Sequence, residues 1–350
     1  MYSKKYRIFI WITVTMILTW VLLGCASEPP APNTNPESNP SVNVHGTPFA
    51  LNGVLHVTDG KLMNQHDQPI QLRGMSSHGL QWYSECIRDS SLQLLAVNWG
   101  ADFLRLAMYV QEDGYLSKPA YFRELVDGYV GKLLQRGMYA IIDWHQLSPG
   151  DPNYNLDAAK EYFTYMSAKH GDKGNVIYEI CNEPSGVEWS DIYEYAEKII
   201  PVIRANDPDS VIVVGTPNWS SNPSAVIGNE LPFDNIMYTI HFYAAAHGKD
   251  VRDDAGKAAD AGLALFATEF GTQGYTGDGK NDFESSNAWI KLLAERGISW
   301  SNWNFSDDGF SGAVWLDGTC IGERWWDKNL KESGHWIKDK LSNPKDSWDI

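Results

Sequence analysis

The chain has 350 residues, of which 43% are hydrophobic and 21% charged, an ordinary balance for one or two globular domains that excludes disorder for most of the length. Its 28 Lys and Arg against 44 Asp and Glu give a net charge of −16, the wrong sign for a protein that binds nucleic acid. Burial alone seldom calls for as many as 15 Trp and 17 Tyr, so we expect exposed aromatic side chains with a function.

Residues 1–24 are predicted to be a lipoprotein signal peptide. A basic segment at residues 4–7 precedes the uncharged apolar run 8–23, which is shorter than the roughly twenty residues of a comfortable membrane span. The run ends in Leu22-Leu23-Gly24-Cys25, which resembles a bacterial lipobox. Cys25 is therefore the predicted lipidation site, with an uncleaved signal anchor as the alternative.

Residues 25–50 are rich in Pro, Asn and Ser, a composition that cannot bury a core and is typical of a semi-rigid tether. The segment 51–342 is predicted to be a single catalytic domain, and 343–350 a C-terminal tail.

Three cysteines remain after Cys25: Cys86, Cys181 and Cys320. An odd number leaves at least one thiol free. Outside the cytoplasm Cys86 and Cys320 could pair, whereas Cys181 sits in an apolar run that suits a small buried side chain. The sequence alone leaves the pairing open.

The elements after residue 51 alternate between strands and helices. A short hairpin is predicted over 54–57 and 61–63, with Asp59-Gly60 as its turn. Eight apolar or β-branched runs follow, at residues 71–76, 103–108, 139–144, 176–181, 211–215, 237–242, 263–269 and 298–305. Amphipathic stretches predict helices between them, at residues 122–136, 158–170, 189–204, 284–296 and 330–341.

This alternation predicts an α/β fold with a parallel sheet and crossover helices. Eight units in this length match a (β/α)8 TIM barrel, whose usual size is about 250 residues. The competing fold is a doubly wound open sheet. It is disfavoured because the first strand is followed by Arg73-Gly74-Met75-Ser76-Ser77-His78-Gly79 and not by the glycine-rich dinucleotide fingerprint.

Polar and aromatic residues end almost every predicted strand, where the active site of a barrel lies. They are His78, Arg105, Tyr109, His145, Asn182, Glu183, Trp219, His241, Tyr243, Glu269 and Trp303. Glu183 ends the fourth strand and Glu269 the seventh, so we expect the two carboxylates to face each other across the barrel mouth. Glycoside hydrolysis needs such a pair. The alternative is two solvated loop glutamates.

The sequence resembles family 5 glycoside hydrolases, in the bacterial endo-β-1,4-glucanase (cellulase) branch. The resemblance extends from about residue 51 to 341 in the family's order. It is carried by the segments 73–82, 105–109, Asp143-Trp144-His145, 178–184, 241–244, Thr268-Glu269-Phe270-Gly271 and 303–307.

The resemblance implies a role for each catalytic side chain. Glu183 would be the general acid/base and Glu269 the nucleophile of a retaining mechanism. Arg105 and Tyr243 would donate hydrogen bonds to Glu269, and His241 would orient Glu183. Arg105 also has a purely structural interpretation as a buried ion-pair partner, and His241 as a core histidine.

The resemblance also implies the sugar contacts. Asn182 would bind the sugar 2-hydroxyl and His145 another hydroxyl, and Trp303 would lie under the reacting sugar with Trp82 and Trp219 on either side. His78 and Tyr109 are assigned to the same substrate-binding group. The alternative for His145 is a position in the core. The alternative for Trp82 and Trp219 is a packed position in a loop.

Two other motifs suggest different chemistry. His78, His145 and His241 could converge on zinc, but the spacing typical of a zinc hydrolase is absent. Residues 274–280 fit the phosphate-binding loop pattern except that Asn281 follows where Ser or Thr is needed. We interpret this segment as a flexible loop at the cleft rim and expect neither a metal nor a cofactor.

One position departs from the family's pattern. After Asp307, related cellulases often carry Lys for a substrate hydroxyl, whereas Asp308 stands here. An acceptor in place of a donor puts a strict preference for plain cellulose in doubt.

The sequence therefore predicts a monomeric, surface-tethered, retaining endo-β-1,4-glucanase. It would be a bacterial cell-surface or outer-membrane lipoprotein, or be released extracellularly. Mixed-linkage glucan, xyloglucan, mannan and xylan are alternative substrates, since fold does not decide substrate. A lipid-anchored protein that binds glycans without cutting them is the alternative from another class.

Overall fold

The computed structural model describes residues 46–342. The predicted signal peptide, Cys25, nearly all of the tether and the 343–350 tail lie outside the described residues. Helix α1 (Pro48–Asn52) covers the end of the predicted tether, and its Phe49 meets Tyr139 edge to face at a ring-centroid distance of 5.8 Å. The folded part thus begins a few residues before position 51. None of the helices in the described part is long and apolar enough to cross a membrane.

Eight parallel strands close into a barrel, in the order β10-β3-β4-β5-β6-β7-β8-β9. The predicted (β/α)8 TIM barrel is confirmed, and the open sheet is excluded because the last strand pairs with the first. In chain order the strands are β1 (His56–Thr58), β2 (Lys61–Met63), β3 (Arg73–Ser76), β4 (Phe103–Tyr109), β5 (Tyr139–His145), β6 (Val176–Glu179), β7 (Ile212–Val214), β8 (Ile236–Tyr243), β9 (Leu265–Gly271) and β10 (Ser299–Trp303).

Helices follow the strands around the barrel. After α1 they are α2 (Leu80–Tyr83), α3 (Asp89–Gln93), α4 (Pro119–Leu134), α5 (Leu156–His170), α6 (Trp189–Arg204), α7 (Pro217–Ser220), α8 (Lys249–Asp260), α9 (Phe283–Arg296) and α10 (Glu332–Ser342). The predicted helices are present with shifted ends. α4 starts early because Pro119 suits the first helical position. α8 was not among those named from the sequence, since it is largely polar and buries only Ala255, Gly256 and Ala258.

The predicted hairpin is also present, as β1 and β2. Asp59 and Gly60 both adopt positive φ, 51° and 70°, which is the backbone of the two-residue turn that matches the twist of paired strands. The hairpin brings Leu55 and Leu62 against the apolar interior of the barrel, where they cluster with Phe103. It therefore covers the amino-terminal end of the strands.

Alternation along each strand divides the barrel interior into two levels. On β4, Leu104 and Leu106 face the surrounding helices, whereas Phe103 and Arg105 face inward. The inward residues at the start of the strands are apolar, and those at the carboxyl ends are polar. The chemistry is thereby confined to one end of the barrel, as expected for this fold.

The abundance of Trp has a different explanation from the one expected. Within residues 46–342, five Trp side chains are fully buried: Trp99, Trp144, Trp289, Trp300 and Trp315. Trp289, for example, stacks on Phe242 with ring centroids 3.8 Å apart. The expectation that burial would not account for these residues was wrong for this group, because stacked rings fill the space between barrel and helices.

A disulfide joins Cys86 to Cys320, and Cys181 is a buried free thiol. This settles the pairing that the sequence left open. Cys86 lies in the segment after β3 and Cys320 in the segment after β10. The bond therefore ties together the loops that follow the first and last strands of the barrel.

Candidate active site

The side chains at the carboxyl ends of six strands converge on one site. β4 supplies Arg105 and Tyr109, β8 supplies His241 and Tyr243, and β9 supplies Glu269. The remaining members come from β5 (His145), from the segment just after β6 (Asn182 and Glu183) and from the end of β10 (Trp303). These residues are far apart in the sequence, and the closed barrel brings the ends of their strands together.

Arg105 is the centre of this site. It is fully buried, and its Nε and Nη2 atoms donate to the two carboxylate oxygens of Glu179 at 2.6 and 3.1 Å. Nη2 also donates to Asn182 Oδ1 at 2.6 Å and lies 3.0 Å from Asp143 Oδ2, while Nη1 donates to Glu269 Oε2 at 3.0 Å. Burial alone would lower the pKa of Arg105, but the three carboxylates outweigh it and raise the pKa. The guanidinium is therefore a permanent cation inside the barrel.

Glu269 is held from both of its oxygens. Oε2 accepts from Arg105, and Oε1 accepts from the Tyr243 hydroxyl at 2.7 Å. Burial, followed by the charge of Glu269, raises the pKa of Tyr243 well above its usual value, so the phenol keeps its proton. Two donors on one carboxylate fix the direction of its lone pairs.

Glu183 has one oxygen engaged with the protein. Its Oε1 lies 3.0 Å from His241 Nδ1, and its side chain is 14% exposed while the ring of His241 is 1% exposed. One oxygen of Glu183 and one of Glu269 lie within 4.8 Å of each other. The two carboxyl groups therefore face each other at short range across the barrel mouth.

Glu183, His241 and Glu269 are close enough together to be considered as metal ligands. The ring of His241 argues against this use, because Nδ1 contacts Glu183 and Nε2 contacts Thr268 Oγ1 at 2.8 Å. Burial lowers the pKa of His241, but hydrogen bonds to the Glu179 and Glu183 carboxylates raise it to about 9. A protonated imidazole has no lone pair for a metal.

Aromatic rings form a wall beside the carboxylates. His145 lies between Tyr109 and Trp303, with ring centroids at 4.2 and 5.5 Å and nearly parallel planes. Trp82 meets Tyr109 at 5.0 Å, and His78 meets Trp303 at 5.0 Å. Burial and then the charge of Arg105 lower the pKa of His145 to about 3, so its ring is neutral. His145 therefore adds no charge to this aromatic wall.

Trp219 lies apart from this wall. Its side chain is 56% exposed, and it lines a cavity of about 510 Å³ together with Glu183, His247 and Tyr275. Trp219 has a positive φ of 55°, and its backbone N–H donates to Pro184 O at 2.9 Å. The ring is thus presented to solvent by a loop anchored next to Glu183. It is not a packed loop aromatic.

The carboxylate of Asp308 points into the protein and not into the cleft. It is 5% exposed, its Oδ1 accepts from the Phe310 backbone N–H at 2.7 Å, and its Oδ2 accepts from Asn304 Nδ2 at 3.1 Å. The same Oδ2 lies 3.4 Å from His78 Nε2. The carboxylate is used inside the protein to hold this loop and His78, because a buried charge needs partners. The structure thus gives Asp308 a role inside the protein, and the Lys that related cellulases often carry here is absent from the sequence.

The two competing motifs have other roles in the structure. The groups of metal-ligating side chains that the described residues bring together do not combine His78, His145 and His241. His78 Nδ1 accepts from Gly79 N–H, and His145 Nδ1 lies 2.7 Å from Asp143 Oδ2. The 274–280 segment is the loop between β9 and α9, and its Tyr275 lines the cavity beside Trp219.

Three residues that contact Arg105 or His241 were not among the predicted site residues: Asp143, Glu179 and Thr268. All three are completely buried. Asp and Glu are almost never fully buried unless they are paired. A carboxylate inside the apolar runs of β5 and β6 was therefore a usable signal, whereas Thr268 offered none.

The chain is similar to known proteins. Residues 63–309 match the family described as Cellulase (glycosyl hydrolase family 5). Endoglucanase MaCel5A of Microbulbifer sp. (strain ALW1) is 49% identical over 306 residues, which are 85% of this chain and 60% of that protein. Endoglucanase E-5 of Thermobifida fusca is 48% identical over 320 residues, 89% of this chain and 68% of that one. The chain thus spans about three fifths to two thirds of these relatives.

Solved structures give the same result. The crystal structure of the catalytic domain of Thermobifida fusca endoglucanase Cel5A (E5) superposes with a TM-score of 0.84 at 48% identity, and covers 85% of this chain and 100% of that one. A variant of that domain was solved in complex with cellotetraose, with a TM-score of 0.84 at 47% identity and the same coverage.

The buried cation generates a stability prediction. Arg105→Met leaves three buried carboxyl groups without their cation, so we expect the free energy of unfolding at pH 7 to fall by about 3–5 kcal/mol. Arg296→Met is the matched control, since Arg296 holds Asp260 with two hydrogen bonds at 3.1 Å but on the surface. The control should cost no more than about 1 kcal/mol. Denaturant titration of both variants measures the difference, and equal losses would contradict the assignment.

Proposed function

The chain belongs to glycosyl hydrolase family 5, and we propose that it is a retaining endo-β-1,4-glucanase with Glu183 as general acid/base and Glu269 as nucleophile. The observation that carries the proposal is the separation of the two carboxyl groups, whose nearest oxygens lie within 4.8 Å. Retaining enzymes hold the pair about 5–5.5 Å apart, whereas inverting enzymes need about 6.5–9.5 Å to admit a water.

In the first step Glu269 attacks the anomeric carbon and forms a covalent glycosyl ester. The bond from that carbon to the leaving oxygen breaks, and the proton of Glu183 passes to that oxygen. Arg105 and Tyr243 hold the attacking carboxylate in place from both sides. The electron pair of the broken bond ends on the protonated leaving group, which departs as the shortened chain.

In the second step a water molecule attacks the same carbon from the side that the leaving group vacated. Glu183, now a carboxylate, takes one proton from the water, and the ester bond to Glu269 breaks. Both glutamates return to their starting protonation states, and the product keeps the β configuration. The two protein donors on Glu269 stabilise the carboxylate that is released.

Substrate binding is assigned to the aromatic wall and to Asn182. The side-chain nitrogen of Asn182 is buried and has no protein partner, so it is available to a sugar hydroxyl. Trp303 and Trp82 present flat faces that suit pyranose rings, and Trp219 does the same on the cavity beside Glu183. A neutral glycan tolerates the acidic balance of the chain.

Cellulose-type β-glucan is favoured over the other glycans, because the similar proteins are endoglucanases and a similar catalytic domain was solved with cellotetraose. Asp308 is turned inward, so it places no acceptor in the cleft. We expect initial rates on carboxymethylcellulose to exceed those on mannan and xylan. Mixed-linkage glucan and xyloglucan belong in the same panel.

Glu269→Gln and Glu183→Gln, assayed on that panel, are expected to lower kcat by about 10²–10⁴-fold. Glu161→Gln is the control, since Glu161 is exposed and pairs with Arg123 on the barrel surface. Reducing-sugar release measures all three. Near-normal turnover by either of the first two variants, or a higher wild-type rate on mannan or xylan, would overturn the corresponding part of the proposal.

The stereochemistry has a separate readout. A proton NMR time course of cello-oligosaccharide hydrolysis should show the β-anomer first, before mutarotation supplies the α-anomer. Release of the α-anomer first would mean that Glu269 activates water and does not form an ester.

We also propose that the enzyme is an exported monomer with a lipid on Cys25. The support is the basic segment, apolar run and Leu22-Leu23-Gly24-Cys25 of the sequence. Cys25→Ala, expressed from the full chain in a bacterial host, should no longer incorporate labelled fatty acid or sediment with membranes. Cys181→Ala is the control and should behave as wild type. An unchanged membrane fraction for Cys25→Ala would favour an uncleaved signal anchor.

A further inference from the structure

A continuous chain of contacts runs inward from the acid/base. Glu183 Oε1 lies 3.0 Å from His241 Nδ1, and His241 Nε2 lies 2.8 Å from Thr268 Oγ1. Thr268 Oγ1 then donates to Glu179 Oε1 at 2.7 Å, and Glu179 ends on Arg105. The mechanism above uses Glu183 and Arg105, but it gives no role to His241, Thr268 or Glu179.

The direction of each hydrogen bond follows from the groups themselves. The Glu179 carboxylate can only accept, so the single hydroxyl proton of Thr268 points to Glu179. Thr268 Oγ1 must then accept from His241, which places a proton on Nε2. This chain of hydrogen bonds from Glu183 through His241 and Thr268 to Glu179 is called the relay below. It excludes the tautomer of His241 in which Nδ1 alone is protonated.

The state of Nδ1 then decides where the proton of Glu183 sits. If the ring were neutral, the lone pair of Nδ1 would draw that proton to Oε1, the oxygen that faces the protein. If the ring is an imidazolium, Nδ1–H donates to Oε1, and the proton of Glu183 is left on Oε2. Only Oε2 is then available to protonate a leaving group.

We propose that Thr268 and Glu179 are positioning residues that keep both ring nitrogens of His241 as donors, and so hold the proton of Glu183 on Oε2. The inference rests on the proposed function, because it assigns a purpose to the acid/base geometry. Glu179 acts through Thr268, since its own oxygen is 3.7 Å from His241 Nε2.

Burial and charge support the relay. Thr268 and Glu179 are 0% exposed and His241 is 1% exposed, so water does not compete for these bonds. Burial raises the pKa of Glu179, but Arg105 and the hydrogen bonds lower it to about 2, which keeps it an acceptor. The charged or titratable groups around His241 are Glu179, Glu183, Glu269, Asp143, Arg105 and His145.

The test compares two substrates with the same cellobiosyl group and different leaving groups, of which only one needs a proton to depart. Dinitrophenyl β-cellobioside has a leaving group that departs as an anion, whereas phenyl β-cellobioside needs protonation by Glu183. Thr268→Val keeps the side-chain shape and removes the hydroxyl, and it does not alter any hydrogen bond of Arg105. Thr268→Ser restores the hydroxyl and is the matched control.

For Thr268→Val we expect kcat/KM on phenyl β-cellobioside to fall at least about 10-fold more than on dinitrophenyl β-cellobioside, since proton transfer by a positioned acid contributes about 10²–10⁴-fold. Thr268→Ser should recover most of the loss. Equal losses on both substrates, or no loss on either, would overturn the proposal, because a structural disturbance has no reason to depend on the leaving group.

A second measurement is made on the unmodified enzyme and needs a variant only to assign the signals. Nitrogen NMR of the labelled imidazoles at pH 7 should show both nitrogens of His241 protonated, with the signals assigned by their absence in His241→Asn. A neutral ring at pH 7 would overturn the proposal. If the wild-type enzyme cleaves neither cellobioside, the proposed function fails and not the relay, because the NMR result stands independently.

Discussion

The buried guanidinium of Arg105 is the interaction on which the whole site depends. Three carboxylates inside one barrel would repel one another and lose hydration, at a cost of several kcal/mol each. A single planar cation with five N–H donors meets Glu179, Asp143 and Glu269 at once and still reaches Asn182. Because a guanidinium stays protonated, the cation of this cluster persists at any pH at which the protein is folded. The orientation of the nucleophile and of the acid/base relay both follow from it.

The barrel supplies the rigidity that such a cluster needs. Side chains at the start of the strands fill the interior with apolar groups, and those at the carboxyl ends are polar and converge on the mouth. Each catalytic group stands on or just beyond a strand that is hydrogen-bonded on both sides. A rigid frame keeps the donors aimed at Glu269 before substrate arrives, so that little reorganisation is left for the reaction itself.

Sequence patterns predict the fold and the residues of the site better than the hydrogen bonds and ion pairs between those residues. The eight strands were found because their apolar runs are distinct, and Glu183 and Glu269 because they end the fourth and seventh of them. The bonds between partners could not be found, since Arg105 and Glu179 are 74 residues apart and Arg105 and Glu269 are 164 apart. Asp308 shows the same limit, because the loop conformation that turns it toward Asn304 leaves no trace in the order of residues. The buried positions of Trp99 and Trp315 were not predicted, because composition does not distinguish a ring in the core from one in a cleft.

The Cys86–Cys320 bond has a topological consequence. It makes residues 86–320 a covalent ring, and that ring contains the acid/base, the nucleophile, Arg105 and every member of the relay. A protease that cuts one loop within the ring leaves a single molecule, because the two new ends remain linked through the sulfur atoms. The strands on either side of the cut also stay paired within the barrel. A nicked chain therefore keeps its catalytic groups together.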